Sequence, residues 1–373
     1  MPKASKQASA ASPADSPISR KLIEDWARKH RVEFPTAEKV LWLTRVLHAI
    51  TTTGMGRDFA LMGGSAIVFL YRDMYRFSTD LDLDFVGNRN LGQKGQREVS
   101  ERQKQDRETL EGIASDLEMT FTIRSKLENR FAQYELTYRS AYTRRGSVEL
   151  DISYRYGHSV LGTVTRPWPI IVRSVAPEFK VATLREEELY AGKVIAMVEA
   201  KERLDFPSHI GLLTKRKIRH LFDVYLLAQE VFDRESKLNL RRFRDLVLLF
   251  GMTRIGKFEY FRGNAIGSYT EADVRTELRS VVPRDLPVPA VEEMKWIVRK
   301  FLDRHVLNYT EREHRFMEDF RAGQFRPEDL FGSGATARKL RDTQYYREIL
   351  GKVRPMPQRG SSRGKRMTGK GRP

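Results

Sequence analysis

Between Gly63 and Asp84 the chain reads GGSAIVFLYRDMYRFSTDLDLD. Its last residues alternate carboxylate with apolar side chains. A strand repeats every two residues, so Asp80, Asp82 and Asp84 are expected on one face. Like charges crowded there repel, and a divalent cation would relieve them; hard oxygen donors suit Mg²⁺. The Gly-Gly-Ser turn opens an apolar run of helical character, and the free backbone N–H groups of Gly64 and Ser65 suit a phosphate. A phosphate cradle beside metal-binding carboxylates is the equipment of nucleotidyl transfer. In that chemistry two metal ions about 4 Å apart clamp the entering and leaving oxygens at the α-phosphate.

Such a site needs further groups. In VELDISYR, Val148, Leu150 and Ile152 share one strand face, and Glu149, Asp151 and Ser153 share the other. Asp151 is therefore the expected third carboxylate. With Asp80 and Asp82 it would hold the metals and help deprotonate the acceptor hydroxyl, while Asp84 shares their face and could point past the metals. Lys193, in EELYAGKVIAMVEAK, falls on a helical stripe with Leu189, Ala196 and Met197, where a lysine is unexpected. It either snorkels at the stripe's edge or turns inward to neutralise the pyrophosphate leaving group. Asp223 follows Arg219 by four residues, the spacing of a helical ion pair; the alternative is a pocket-facing Asp223 that orients Lys193 or the base. Arg76 is expected to brace the active-site loop or the phosphates. The seven histidines show no metal spacing, HExxH is absent, and no GxxxxGK[ST] loop exists, which argues against P-loop chemistry.

The elements that must position these groups divide the chain. Helical spacing predicts helices over 18–29 and 36–50, followed by a lead-in at 59–62, a helix at 65–71 and a strand at 81–86. A charged, helical insert is expected over 93–117. Strands are expected at 119–124, 130–138, 147–154 and 170–175. From Leu184 the pattern switches to helices at roughly 185–203, 215–230, 238–251 and 289–307; residues 251–289 give no clear pattern. Strands first and helices afterwards read as α+β: a disordered leader (1–17), a catalytic domain (18–180), a helical domain (181–351) and a basic disordered tail (352–373).

With 373 residues and no cysteine, the chain can form two cores and lacks any disulfide frame or zinc–cysteine site. The cytoplasm is the expected compartment. No run approaches the ~20 apolar residues of a membrane helix, and the first residues lack the apolar centre of a secretory signal. The net charge is +18. Residues 352–373 carry lysines and arginines and no acid, and the remainder is basic too. Such a field favours a polyanionic partner, nucleic acid above all.

These motifs, taken in order, resemble those of the AbiEii/AbiGii nucleotidyltransferase toxins of abortive-infection toxin–antitoxin pairs, to which the MenT toxins are related. Gly63-Gly64-Ser65-Ala66, Arg76-Phe77-Ser78-Thr79-Asp80-Leu81-Asp82, Val148 to Ile152, Ala191-Gly192-Lys193 and the helix Arg219 to Leu227 carry the resemblance, over about residues 58 to 230. The chain departs from the family pattern at His220, where an Asp often follows the Arg. The resemblance implies a polymerase-β-like catalytic domain, nucleoside triphosphate as substrate, a cognate antitoxin, and an RNA acceptor, with tRNA 3′ ends the acceptor of some relatives. Other acceptors are a protein hydroxyl, as in AMP transfer, or a small molecule. The rival from another class is a basic nucleic-acid-binding protein on an inactive transferase fold.

Overall fold

A computed structural model describes residues 18–125, 130–169, 173, 175–199, 217–254 and 264–351. The expected leader, the basic tail and most of the strand expected at 170–175 lie outside them.

Helix α1 (Arg20–His30) starts where Ser19 Oγ accepts the Leu22 N–H at 3.3 Å, and stops where Arg31 turns left-handed at φ 54°. Its stripe of Ile23, Trp26 and Ala27 is buried. Helix α2 (Phe34–Thr51) carries Pro35 in its first turn, where the missing N–H costs nothing. It buries Val40, Leu41, Leu43 and Leu47. Helix α3 (Met55–Asp58) leads into strand β1 (Phe59–Met62), which ends at a turn where Gly63 has φ +69°. Helix α4 (Gly63–Ala66) follows and widens into a π-helical turn, Ile67–Tyr71.

Strand β2 (Asp80–Phe85) comes next, then the long charged helix α5 (Gln96–Asp116), β3 (Thr120–Ser125), β4 (Phe131–Tyr138), β5 (Gly146–Ser153), β6 (Val164–Pro167) and β7 (Lys180–Thr183). Among the described residues these strands form one seven-stranded sheet in the order β3-β4-β5-β2-β1-β7-β6. It is mixed: β2 runs parallel to β5 and antiparallel to β1, and β7 runs parallel to β1. The short strands β6 and β7 are absent from the sequence-based expectation. Four residues are too few to display an alternation, and β6 sits at the sheet edge with Pro167 at its end, where a lost ladder donor is tolerated. The expected boundary between residues 180 and 181 cuts β7, so the sheet runs on to Thr183.

Helices then follow as expected: α6 (Glu186–Glu199), α7 (Ile218–Phe232) and α8 (Leu240–Arg254). The unpatterned stretch holds α9 (Asn264–Gly267) and α10 (Glu271–Asp273), the latter opened by a capping box between Thr270 and Asp273. After α11 (Val291–His305) come α12 (Glu311–Arg321), α13 (Glu328–Phe331), α14 (Ala335–Arg341) and α15 (Gln344–Leu350). The α+β class expected from sequence thus holds, with a mixed sheet flanked by helices and a helical C-terminal region. Buried apolar side chains from Ile23 to Tyr346 join in one continuous core.

A Cβ at Gly63 would run into the Asp82 carboxylate, and its positive φ is strained for any L side chain. Gly63→Ala is therefore expected to cost about 1–3 kcal/mol and to displace Asp82, measured as a lower urea midpoint together with lost activity.

Candidate active site

The parallel register of β2 against β5 sets Asp82 beside Asp151, Leu81 beside Leu150 and Leu83 beside Ile152. The leucines and Ile152 are buried in the core. That burial fixes the register, because a slip of one residue would drive the carboxylates into the apolar layer. Adjacent strands lie about 4.8 Å apart, so Asp82 and Asp151 face each other as like charges. Burial, with Lys193 opposing and Asp80 adding, raises the proton affinity of Asp82. Burial and the neighbouring Asp82 push Asp151 up to about 7, against a hydrogen bond from Gln133 Nε2 at 3.0 Å. Asp84 is buried, in register with Ser153.

Asp80 has different company. Its Oδ2 accepts from Lys217 Nζ and from Arg219 Nη2, both at 3.1 Å. Arg219 Nη1 also reaches Thr79 Oγ1 at 3.4 Å. These cations hold the Asp80 carboxyl well below the usual range against its burial. Of the two readings of Asp223, the helical pair with Arg219 does not form: Arg219 reaches across to Asp80, and Asp223 points inward from α7 toward Arg76 and Lys193.

Asp223 is wholly buried and forms a bidentate pair with Arg76, with Nε to Oδ1 and Nη2 to Oδ2 both at 2.7 Å. Tyr75 Oη donates to Oδ1 at 2.7 Å, and Lys193 Nζ lies 3.4 Å from Oδ2. Arg76, 1% exposed, braces the loop before β2 and donates to the Phe77 carbonyl as well. Lys193 lies buried on its apolar stripe instead of snorkelling, and burial lowers its proton affinity against the pull of Asp223. Its ammonium also contacts His220 Nδ1 at 3.3 Å. Burial, with Lys193 beside it, keeps that imidazole neutral, so Nδ1 accepts.

Gly64 packs where a Cβ would meet Arg76, Ser78 and Lys193, the last with Nζ 3.4 Å away. The Ser65 hydroxyl donates to the Asp80 carbonyl and ties the turn to β2. The turn, the carboxylate strands and the inward lysine therefore meet in one place.

Lys217 and Gln133 were not singled out by sequence, and His220 was noted only as a departure from the family pattern, with no role. Gln133 had a signal in the alternation of FAQYELTY, which puts it on the polar face of β4. Lys217 and His220 had none, since their partners lie on other elements.

Residues 45–343 match the family model described as "Nucleotidyl transferase AbiEii toxin, Type IV TA system". The chain belongs to the AbiEii nucleotidyltransferase toxin family. Its fold is similar to that of MenT4, a nucleotidyltransferase toxin from Mycobacterium tuberculosis, with a TM-score of 0.54 at 14% identity over 91% of this chain and 100% of that one. No curated protein matches it. Among the described residues of this AbiEii-family chain, no helix is long and apolar enough to cross a membrane.

Among those residues, too, no three acidic or imidazole groups are gathered as a ready metal site; Asp80 is turned to Lys217 and Arg219. The donor set nonetheless fits a hard divalent cation. Asp82 and Asp151 present carboxylate oxygens side by side, and burial first, with a neighbouring carboxylate second to it among the raising causes, lifts the proton affinity of both.

Two outcomes are expected. Asp223→Ala strands Arg76 and Lys193 as buried cations and should cost about 3–5 kcal/mol in urea unfolding. Asp151 binds its proton more tightly in the folded chain than in the unfolded one, so it lowers stability as pH rises from about 4 to about 7. In metal-free buffer, Asp151→Asn should raise Tm by roughly 2 °C or more at pH 8 and by clearly less at pH 5, where only the first part of that window has been crossed.

Proposed function

We propose that this AbiEii-family chain is a Mg²⁺-dependent toxin of the cytoplasm that transfers nucleotides from a nucleoside triphosphate to an RNA acceptor, the tRNA 3′ end foremost, and is held in check by a cognate antitoxin. The observation that carries the reading is the cross-strand pair Asp82–Asp151, facing the turn at Gly63-Gly64-Ser65 beside the buried Lys193. Its net charge of +18 supports an RNA acceptor over a small molecule.

In this reading Asp80, Asp82 and Asp151 hold the metal ions, which when bound neutralise charge on the entering and leaving oxygens. Backbone N–H groups of Gly64 and Ser65 orient the triphosphate, while the Ser65 hydroxyl keeps its tie to Asp80. Asp151 also helps to take the acceptor hydroxyl's proton. The hydroxyl oxygen bonds to the α-phosphorus, the bond from that phosphorus to the α–β bridging oxygen breaks, and pyrophosphate leaves. Lys193 neutralises the leaving charge. Asp223 aims Lys193, and Arg76 supports Asp223 in place of contacting phosphate directly.

Purified protein incubated with total RNA, Mg²⁺ and each labelled nucleoside triphosphate in turn is expected to label a tRNA-sized band. Asp80→Ala/Asp82→Ala should lower that labelling by roughly a hundredfold or more, and a loss under tenfold would sink the assignment. Label in protein would favour AMP transfer. RNA binding without label from any nucleotide would favour an inactive fold.

A further inference from the structure

Asp80 differs from the carboxylates beside it in being over-neutralised. Lys217 Nζ and Arg219 Nη2 converge on its single atom Oδ2, each at 3.1 Å. A cation that is to take that oxygen must first displace both. The other cations of the site cannot exchange so readily, because Arg76 and Lys193 are only 1% and 6% exposed and both are committed to Asp223. Lys217, by contrast, is 38% exposed and Arg219 14%. Both can therefore be reached by an incoming anion without breaking the core.

A polyphosphate is the ligand class whose chemistry matches this demand. It offers several anionic oxygens to two adjacent cations at once, and charge-assisted bonds to guanidinium and ammonium are the strong ones. We propose that Lys217 and Arg219 form a polyphosphate-released latch on Asp80: they hold its carboxylate until a triphosphate tail draws them off, and Asp80 then becomes a metal ligand. The latch rests on the reading of Asp80 as a metal-binding residue of a transferase. It makes nucleotide and metal binding mutually reinforcing, since each ligand favours the arrangement that the other needs. A metal ion arriving alone finds Asp80 already held by two cations, so Asp80 stays out of metal coordination until substrate is present.

Two binding measurements on the full chain test the latch, each with one ligand alone. Mn²⁺ binding is followed by electron paramagnetic resonance without any phosphate, and tripolyphosphate binding by calorimetry in excess EDTA. Lys217→Ala/Arg219→Gln is expected to bind Mn²⁺ at least about fivefold more tightly than the parent chain, and tripolyphosphate at least about tenfold more weakly. The half-exposed single variant Lys217→Gln should shift both affinities in the same directions by less, which keeps the test open if the double variant misfolds. Unchanged or weaker Mn²⁺ binding, or unchanged tripolyphosphate binding, overturns the proposal. If nucleotide labelling of RNA succeeds while Mn²⁺ affinity fails to move, the latch falls and the transferase stands. If both affinities shift as expected while no nucleotide is ever transferred, the latch stands as a polyphosphate site and the transferase reading falls.

Discussion

The geometry of this site depends on the buried pair between Arg76 and Asp223, whose side chains are 1% and 0% exposed. Desolvating two charges costs several kcal/mol per ion, and the cost is offset only when their hydrogen-bonding positions are filled. Here they are. Asp223 receives both arms of the guanidinium and the Tyr75 hydroxyl, and Arg76 reaches the Phe77 carbonyl. The pair fastens the loop before β2 to α7, so the strand that carries Asp80 and Asp82 is held against the helix that carries Arg219 and His220. It also leaves a second side of Asp223 toward Lys193. One carboxylate thereby aims a buried lysine that its own apolar stripe would otherwise expel.

That local excess of positive charge is answered on the sheet. Asp82, within the field of Lys193, and Asp151, beside it on a parallel strand, still hold protons more tightly than ordinary carboxylates, chiefly because both are buried. The arrangement is unfavourable in itself, since like charges directly across a sheet destabilise it. It persists because Leu81 on Leu150 and Leu83 on Ile152 pack beneath it, in a register that cannot slip without burying the carboxylates. The apolar face of the sheet thus stabilises what its polar face strains, the usual relation between a core and a reactive site.

The C-terminal helices belong to the same mechanical unit. Thr343 Oγ1 meets His158 Nε2 at 2.6 Å, and Lys339 Nζ donates to the Ser159 carbonyl at 2.8 Å. The same loop is gripped from the other side by Glu188, which accepts the Val160 and Leu161 N–H groups and the Ser159 hydroxyl. Glu188 stands on α6, five residues before Lys193. Helices α14 and α15 therefore bear on the loop that α6 holds, and residues 335–350 help to place Lys193, which precedes them by about 150 positions. The ring of Tyr156 packs against Phe250, Tyr345 and Tyr346 and completes the joint.

The periodicities by themselves determined the carboxylate-bearing strands: DLDLDF and VELDIS alternate because successive side chains of any strand point to opposite faces. The helical stripe around Lys193 was equally legible, as were the basic surface and the ordered motifs that mark the family. Partners were another matter. Arg219 stands at helical spacing from Asp223 yet pairs with Asp80, and Asp223 goes to Arg76, 147 residues away in sequence. Lys217 and His220 joined the site through partners on other elements, which no local pattern announces, and the alternation of β4 gave Gln133 a face but not its partner. The short strands β6 and β7 exist only because β1 offers β7 an edge to pair with. Alternation and helical stripes are set by backbone geometry over a few residues, so a sequence carries them openly. Which carboxylate a cation finally meets is decided by long-range packing, where several partners of the right charge compete and burial selects one.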